Sequence, residues 1–303
     1  VTRNYVLGLE LVLPSGEVVE VGGRTHKNKT GFDFTGLLTG SEGMLGVVTK
    51  AVLRLIPQPP SRAALSAGFR NMTRAAAAVQ RILGSGFLPS ALEIADAFTL
   101  EAARGHLGRQ LVPPGNAHLI VEIDGHERSV RHEIGLLREL LETSEAMSLR
   151  EAVGNQACED IWQLRRDFSY ALKATGLVKL NEDVVVPRSR LVGLVEFAAD
   201  LQQRHNFPIA CFGHAGDGNI HVNLMAANYH QDAGVRAQVR AALDELFAQV
   251  LEWGGSITGE HGVGLAKKRW WNQATSRGLR RLHARIKQAM DPDNILNPGK
   301  FLG

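Results

Sequence analysis

Three prolines fall within four residues at Pro57-Gln58-Pro59-Pro60 and divide the 303-residue sequence into two unlike parts. Proline fixes φ and lacks a backbone N–H, so neither a helix nor a central strand continues through such a run. The part before it is rich in β-forming residues, whereas strand-like and helix-like patterns alternate after it. The sequence therefore predicts a small β-rich part, a boundary, and a larger part of mixed secondary structure.

The β-rich part begins with a predicted hairpin over residues 5–21. Leucines at positions 7, 9, 11 and 13 alternate with other residues, Pro14-Ser15-Gly16 supplies the turn, and 18–21 returns. Residues 36–46 contain four glycines and open into a second β-rich stretch that reaches residue 56. This part has the composition of a small sheet with one glycine-rich loop.

The larger part alternates between the two periodicities. Strands are expected at 64–69, 90–95, 118–123, 184–187, 208–212 and 220–225, and helices at 75–83, 98–104, 130–141, 161–174, 189–203 and 235–251. An ordered irregular segment is expected over 290–303, where two prolines and two asparagines stand. The pattern predicts an α+β fold in which a mostly antiparallel sheet is covered by helices.

Composition excludes several classes of protein. A hydrophobic content of 44 % and a charged content of 21 % are ordinary for a globular protein, and no apolar run approaches the ~20 residues of a membrane helix. The net charge of +3 is too small and too scattered to indicate nucleic-acid binding, and suits a small anionic substrate better. Cys158 and Cys211 stand in hydrophobic contexts, which predicts buried thiols and a reducing, cytoplasmic location.

The sequence opens on Val1, without an initiator Met or a leader. We therefore expect it to be cut from a longer chain.

The strongest local motif is the segment 213–223, which combines three glycines, at 213, 216 and 218, with His214 and His221. Glycines allow a sharp turn, and two imidazoles at the facing ends of adjacent strands can converge on one metal ion. The alternative is a glycine-rich hairpin whose histidines only form hydrogen bonds, which is the commoner outcome for an isolated pair at this spacing.

A second glycine-rich segment, 254–264, contains the adjacent pair Glu260-His261. Two histidines and one glutamate form a ligand set that leaves open positions on a metal, as catalytic sites do. Asp217 is a further candidate ligand, but it could equally stabilise its turn. The two segments together favour a metal site more than either does alone.

Other features are weaker. Arg165-Arg166-Asp167 on a predicted helix is usually a solvated face, although an inward Arg would suit a substrate carboxylate. Lys179 beside Asn181-Glu182-Asp183 favours a surface charge cluster. The loop 40–46 could bring backbone N–H groups against a phosphate or a flavin ring. The sequence has no Walker-type phosphate loop, no G-x-G-x-x-G opening a helix and no nucleophile elbow.

Four segments appear in a fixed order that resembles a known family. They are 40–49 (GSEGMLGVVT), His214-x6-His221-x-Asn223, 259–264 (GEHGVG), and Asp291-Pro292-x3-Leu296-Asn297-Pro298-Gly299-Lys300. This order resembles the FAD-linked oxidases of the vanillyl-alcohol oxidase type, in the branch that holds glycolate oxidase, D-lactate dehydrogenase and D-2-hydroxyglutarate dehydrogenase.

The resemblance implies roles for individual residues, most of them in the four matching segments and three of them, Arg165, Ser169 and Lys179, between the first and the second. The implied ligands of a divalent metal, usually zinc, are His214, His221 and Glu260, and His261 is the implied catalytic base. The implied substrate contacts are Arg165, Ser169, Lys179 and Asn223. The implied FAD contacts are Glu42, Gly43, Gly46, Val47 and Asn297.

The resemblance also implies a domain organisation. Residues 1–58 are expected to form the second half of an FAD-binding domain whose first half is absent, 59–285 a substrate-binding and catalytic cap, and 286–303 a segment returning to the FAD domain. Without the half that grips the pyrophosphate, we expect the 303 residues alone to bind no FAD tightly and to be inactive.

The implied reaction is oxidation of a D-2-hydroxy acid to the 2-oxo acid. The metal would assist removal of the hydroxyl proton by His261, and a hydride would pass to FAD, with an unidentified electron acceptor and a homodimer as expected partners. Two alternatives remain open at this point: a metal-dependent hydrolase that uses the same ligands, and a non-catalytic metal-binding module.

Overall fold

The computed structural model describes residues 1–302, and the chain forms two compact units. The split unit combines Val1–Gln58 with the chain from Glu260 onward, and the central unit is Pro59–Gly259. The first division falls inside the proline run. The second lies at Gly259, whereas the resemblance ended the cap at residue 285; the domain assignment itself stays a prediction.

The elements follow one another along the chain with short connections. The strands are β1 (Val6–Val12), β2 (Val18–Gly22), β3 (Val47–Leu53), β4 (Ser61–Phe69), β5 (Ala91–Ala95), β6 (Ala117–Gly125), β7 (Ser148–Val153), β8 (Val178–Val185), β9 (Ile209–His214) and β10 (Asn219–Ala226). The helices are α1 (Phe34–Leu38), α2 (Met72–Gly84), α3 (Ala97–Leu107), α4 (Glu127–Glu142), α5 (Asn155–Ala174), α6 (Leu191–His205), α7 (Ala233–Glu252), α8 (Lys268–Ala274) and α9 (Arg277–Met290).

The split unit contains a three-stranded antiparallel sheet in the order β2-β1-β3. Its core is a small leucine cluster made by Leu9, Leu11, Leu38 and Leu45. Ile286 and Met290 of α9 pack against this cluster. The core therefore needs residues from both segments of the split unit.

A buried lysine reinforces that arrangement. Lys287 of α9 donates from Nζ to the carbonyl oxygens of Met44 (3.0 Å) and Leu296 (2.8 Å), and it pairs with Asp291. The Asp291 carboxylate also accepts the Leu296 N–H at 2.8 Å. These contacts satisfy the buried charges and join the glycine-rich loop 40–46 to the irregular C-terminal segment.

The central unit is built on a seven-stranded sheet in the order β7-β4-β6-β5-β9-β10-β8. Every ladder in it is antiparallel, and helices cover the sheet, which confirms the predicted α+β fold. Helices α3 and α5 pack on the face that presents Ala95, Phe212 and Met225. Helix α6 contacts β9 and, with Ile209 and Cys211, lines a cavity on the opposite side.

Several expectations change at this level. Strand β7 and helices α1, α8 and α9 were not predicted, and β8 begins at Val178, before the extended segment expected at 184–187. The interpretation of residues 179–183 as a surface charge cluster is wrong, because Asp183 is 0 % exposed within β8.

The two cysteines are free, buried thiols, as predicted. No helix within residues 1–302 has the length and apolar character needed to span a membrane.

Candidate active site

Polar side chains gather around the ring of Phe212 at one end of the central sheet. The guanidinium carbon of Arg165 lies 4.8 Å from the ring centroid, and Nζ of Lys179 lies 6.0 Å from it. The His221 ring lies 5.5 Å away between centroids. The strand pairing explains this, since His221 is the registered partner of Phe212 across β9 and β10. Alternate residues of a strand share a face, so His214 joins the same face two residues after Phe212.

Glu93 connects two of these side chains, His214 and Arg165. It is the registered partner of His214 across β5 and β9, and it is 4 % exposed. One carboxylate oxygen contacts Nδ1 of His214, and the other accepts the Nε–H of Arg165 at 2.6 Å. Burial acts to raise the pKa of Glu93, but the hydrogen bond from His214 and the positive charge of Arg165 hold this pKa below its ordinary value. The group is therefore an ionised carboxylate with two partners.

His214 and His221 form the first part of a candidate metal site, with ring centroids 6.0 Å apart. Glu260 is joined by a peptide bond to Gly259, whose N–H donates to the Asp183 carboxylate at 2.9 Å. One ligand atom from each of His214, His221 and Glu260 lies within 4.8 Å of the others. Two imidazoles and a carboxylate suit a first-row divalent cation and leave coordination positions open. The donor set therefore fits a divalent cation.

Asp217 does not join that group of donor atoms within the described part of the chain. It lies in the turn between β9 and β10, where its N–H donates to the His214 carbonyl at 3.1 Å. Asp217 was a candidate either for a metal ligand or for stabilising its turn, and this contact agrees with the second role.

Two of the predicted substrate contacts, Lys179 and Ser169, form one pair. Nζ of Lys179 donates to Oγ of Ser169 at 2.9 Å. Burial, with the nearby charge of Lys173, lowers the pKa of Lys179. Strand β8 and helix α5 therefore place a half-buried ammonium group beside Phe212.

Asn223 is 0 % exposed and holds its own strand in place. Its side-chain amide donates to the carbonyls of Ala210 (2.9 Å) and His221 (3.1 Å). Its Oδ1 has no hydrogen-bond partner among residues 1–302, and the same is true of Oδ1 of Asn181, its registered partner on β8. Buried acceptors rarely stay unsatisfied, so these two oxygens suit a donor on a bound molecule or an ordered water.

The split unit brings the predicted FAD contacts together. A cavity of about 630 Å³ is lined by all five of them: Glu42, Gly43, Gly46, Val47 and Asn297. Its apolar walls include Val6, Leu9 and Leu296. Apolar walls with a few backbone polar groups are typical of sites for flat cofactors, so these residues fit one side of a flavin.

Asn297 and Gly43 explain the shape of this cavity. The side-chain amide of Asn297 donates to the Glu42 carbonyl at 2.6 Å. A Cβ on Gly43 would lie 2.7 Å from Nδ2 of Asn297, and Gly43 has a φ of +68°. Glycine adopts this backbone angle without strain and leaves room for the Asn297 amide.

The Glu42 side chain has a different role from the one implied by the resemblance alone. Its two oxygens accept the N–H groups of Val263 and Gly264, each at 2.8 Å. Those amides lie just beyond His261, which is exposed in the loop that opens the second segment of the split unit. Glu42 therefore anchors the loop that carries the predicted base.

Sequence reasoning missed Glu93, Phe212, Asn181 and Asp183 as parts of the site. All four stand in strands whose alternation predicts secondary structure but not partners. The residues that it did identify lie in the two groups described above, one in each unit, with Glu260 and His261 where the chain leaves the central unit.

Residues 58–301 match the family model described as FAD linked oxidases, C-terminal domain. The chain belongs to this family. The resemblance inferred from four ordered segments is thereby confirmed, and FAD is the cofactor that the family implies.

Relatives in the FAD-linked oxidase family match nearly the whole chain. Glycolate oxidase subunit GlcD of Bacillus subtilis is 35 % identical over 302 residues, which cover 99 % of this chain and 64 % of the relative. D-lactate dehydrogenase of Anaerostipes hadrus is 30 % identical over 307 residues, again covering 99 % of this chain and 64 % of the relative. The chain thus spans about 64 % of the length of these relatives.

Solved structures show the same fold at low sequence identity. 4-Ethylphenol oxidase from Gulosibacter chungangensis aligns with a TM-score of 0.74 and 18 % identity, covering 99 % of this chain and 66 % of that one. p-Cresol methylhydroxylase aligns with a TM-score of 0.71 and 15 % identity, covering 99 % and 65 %. Both alignments agree with the fold predicted for this chain.

Proposed function

We propose that this chain carries the substrate-binding and metal-binding part of an FAD-dependent enzyme that oxidises a D-2-hydroxy acid to the 2-oxo acid. The observation that carries the proposal is the convergence of two cationic side chains, Arg165 and Lys179, with a candidate metal group around Phe212. Relatives named as a glycolate oxidase component and a D-lactate dehydrogenase support the hydroxy-acid substrate class.

Arg165 and Lys179 would bind the substrate carboxylate. Glu93 uses only Nε–H of Arg165, and an arginine has further N–H donors that suit bidentate binding of a carboxylate. Lys179 adds a second positive charge on the same aromatic ring, and Ser169 fixes its Nζ. Such a clamp would determine which face of the α-carbon is presented for oxidation.

The metal site would be formed by His214, His221 and Glu260, with zinc as the expected ion. When bound, a divalent cation lowers the proton affinity of a hydroxyl oxygen that it contacts, and FAD accepts the hydride from the α-carbon. His261 would take the hydroxyl proton as general base. Oδ1 of Asn223, on the same face of β10 as His221, would accept a hydrogen bond from the substrate.

We also propose a cellular location and partners for the protein. Two free, buried cysteines support a reducing compartment such as the cytoplasm. The electron acceptor and the homodimer stay predictions from the resemblance.

Flavin reduction tests the proposed reaction. The protein, expressed as its gene encodes it and loaded with FAD, is mixed without oxygen with D-lactate, glycolate and D-2-hydroxyglutarate. At least one substrate should bleach the flavin absorbance, and L-lactate should not. A protein that takes up no FAD, or a flavoprotein that none of a broad panel of D-2-hydroxy acids reduces, would exclude the proposal. Ester or amide hydrolysis by a flavin-free, metal-loaded protein would favour the hydrolase instead.

A further inference from the structure

We propose that Glu93 is a positioning residue whose single carboxylate orients both the imidazole of His214 and the guanidinium of Arg165. The inference rests on the proposed function, because it assigns metal binding to the first of these groups and substrate binding to the second. Neither the sequence motifs nor the resemblance assigns a role to Glu93.

The geometry makes Glu93 a bridge between two elements. Its registered partner His214 is on the neighbouring strand β9, whereas Arg165 comes from helix α5 above the sheet. Each carboxylate oxygen has one of the two partners, so neither bond competes with the other. The strand pairing fixes the Glu93 backbone relative to β9, and the bond to Arg165 then fixes the guanidinium relative to the imidazole.

A carboxylate paired with a guanidinium determines which ring nitrogen of His214 carries the proton. A carboxylate only accepts hydrogen bonds, so Nδ1 of His214 must carry the proton in this contact. In the neutral ring the lone pair is then on Nε2, and a ring nitrogen needs its lone pair to act as a metal ligand. Metal-binding histidines are commonly oriented in this way by an outer carboxylate, whose loss costs about 10- to 100-fold in metal affinity.

The central unit offers a matched control in Glu122. This carboxylate is 8 % exposed on β6, the strand next to β5. It accepts the Trp162 indole N–H at 2.6 Å and lies 3.5 Å from an Arg62 nitrogen. It is thus a second buried acid with an aromatic partner on α5 and an arginine partner, but without a histidine.

The first test measures metal affinity in the 303-residue chain. Zn²⁺ and Co²⁺ are titrated into the wild type, Glu93→Gln, Glu93→Ala and Glu122→Gln, with circular dichroism as the check of folding. We expect both Glu93 variants to bind the metal about 10- to 100-fold more weakly, with alanine the worse of the two. Glu122→Gln should stay within about twofold of the wild type. Equal affinity in wild type and folded Glu93→Ala would overturn the proposal.

The second test needs no metal, and its deciding measurement is made on the wild type. Histidine-selective ¹⁵N NMR of the metal-free wild type, with the His214 signals identified by their loss in His214→Gln, reports which ring nitrogen carries the proton. We expect the Nδ1–H form, and its loss in Glu93→Ala. If the wild type instead carries the proton on Nε2 of His214, the proposal is wrong.

The two tests distinguish failure of the proposed metal binding from failure of the proposed role of Glu93. A wild-type chain that binds neither Zn²⁺ nor Co²⁺ contradicts the metal part of the proposed function, whereas the NMR measurement still decides whether Glu93 orients His214. Weakened metal binding in the Glu93 variants, together with the Nδ1–H form in the wild type, supports both.

Discussion

Oγ of Ser66 lies 2.7 Å from Nε2 of His118, and both side chains are buried in the central unit. The His118 ring also packs edge-on against Phe168 at 6.4 Å between centroids. Burial lowers the pKa of His118 to about 3. The imidazole therefore stays neutral in the folded protein at pH values where an unfolded histidine is already charged.

This pair predicts an acid sensitivity with a defined sign. The folded pKa is depressed, so the stabilisation is complete above the unfolded pKa of about 6.5 and is lost as the pH falls toward 3. Between pH 7 and pH 5 one such histidine removes about 2 kcal/mol from the free energy of unfolding. Urea titrations at the two pH values measure this loss.

Replacement of His118 checks the assignment. His118→Gln should flatten this pH dependence, whatever its effect on stability at pH 7. His132→Gln, at an exposed position of α4, should leave the pH dependence intact. An unchanged dependence in a folded His118→Gln protein would assign the sensitivity to other groups.

Glu42 predicts a local loosening when its carboxylate is removed. Glu42→Ala deprives the Val263 and Gly264 N–H groups of their acceptor. Hydrogen bonds to a charged group contribute about 1.5 to 3 kcal/mol each, and Glu42 accepts two, so we expect the unfolding free energy of the split unit to fall by about 3 kcal/mol or more. Hydrogen exchange at those two amides should accelerate, and Glu17→Ala, in the exposed β1–β2 turn, should change neither measurement.

Replacing Arg165 and replacing its neighbour Arg166, both on helix α5, should have different effects on catalysis. Arg165 faces Phe212 and Glu93, whereas Arg166 is exposed and pairs with Glu159 at 2.9 Å. If Arg165 binds the substrate carboxylate, Arg165→Met should lower kcat/KM for a D-2-hydroxy acid roughly 10- to 100-fold, through the loss of charge-assisted hydrogen bonds. Arg166→Met should behave as wild type in the same steady-state assay. Similar losses in both variants would point to damage to α5 rather than to a lost substrate contact.

Glu260 and His261 are adjacent in the chain but have different predicted roles. His261→Ala should lower kcat roughly 10²- to 10⁴-fold, as expected for loss of a general base, and should keep the bound metal. Glu260→Ala should lose the metal. Elemental analysis of both variants beside flavin reduction rates makes the distinction, and loss of metal from His261→Ala would make His261 a ligand.

Most of the strands, and the residue types of the candidate metal site, could be predicted from the sequence because both depend on local patterns. Alternation and glycine turns predicted β9 and β10, and the histidines at their facing ends identified the candidate metal ligands. The helix α9 has apolar residues at Leu279, Leu282, Ile286 and Met290 with helical spacing. The sequence thus contains a signal for α9 as well, although this helix was not predicted.

Other features depend on pairing that no local pattern contains. Glu93 is one acidic residue in a five-residue strand, and its importance follows only from the register that places it opposite His214. Asp183 stands among polar residues in the sequence, yet the pairing of β8 with β10 buries it beside His221. Strand β7 lies at the sheet edge with a mixed burial pattern, so its alternation is weak.

The leucine cluster of the split unit also sets an order for synthesis. Leu9, Leu11, Leu38 and Leu45 leave the ribosome early, but Ile286 and Met290 emerge more than two hundred residues later. All strands of the central sheet have been translated by Ala226. The central sheet can therefore fold before α9, which packs on the leucine cluster, has been synthesised. A nascent chain arrested before residue 277 should therefore display a protease-resistant middle and a protease-sensitive beginning.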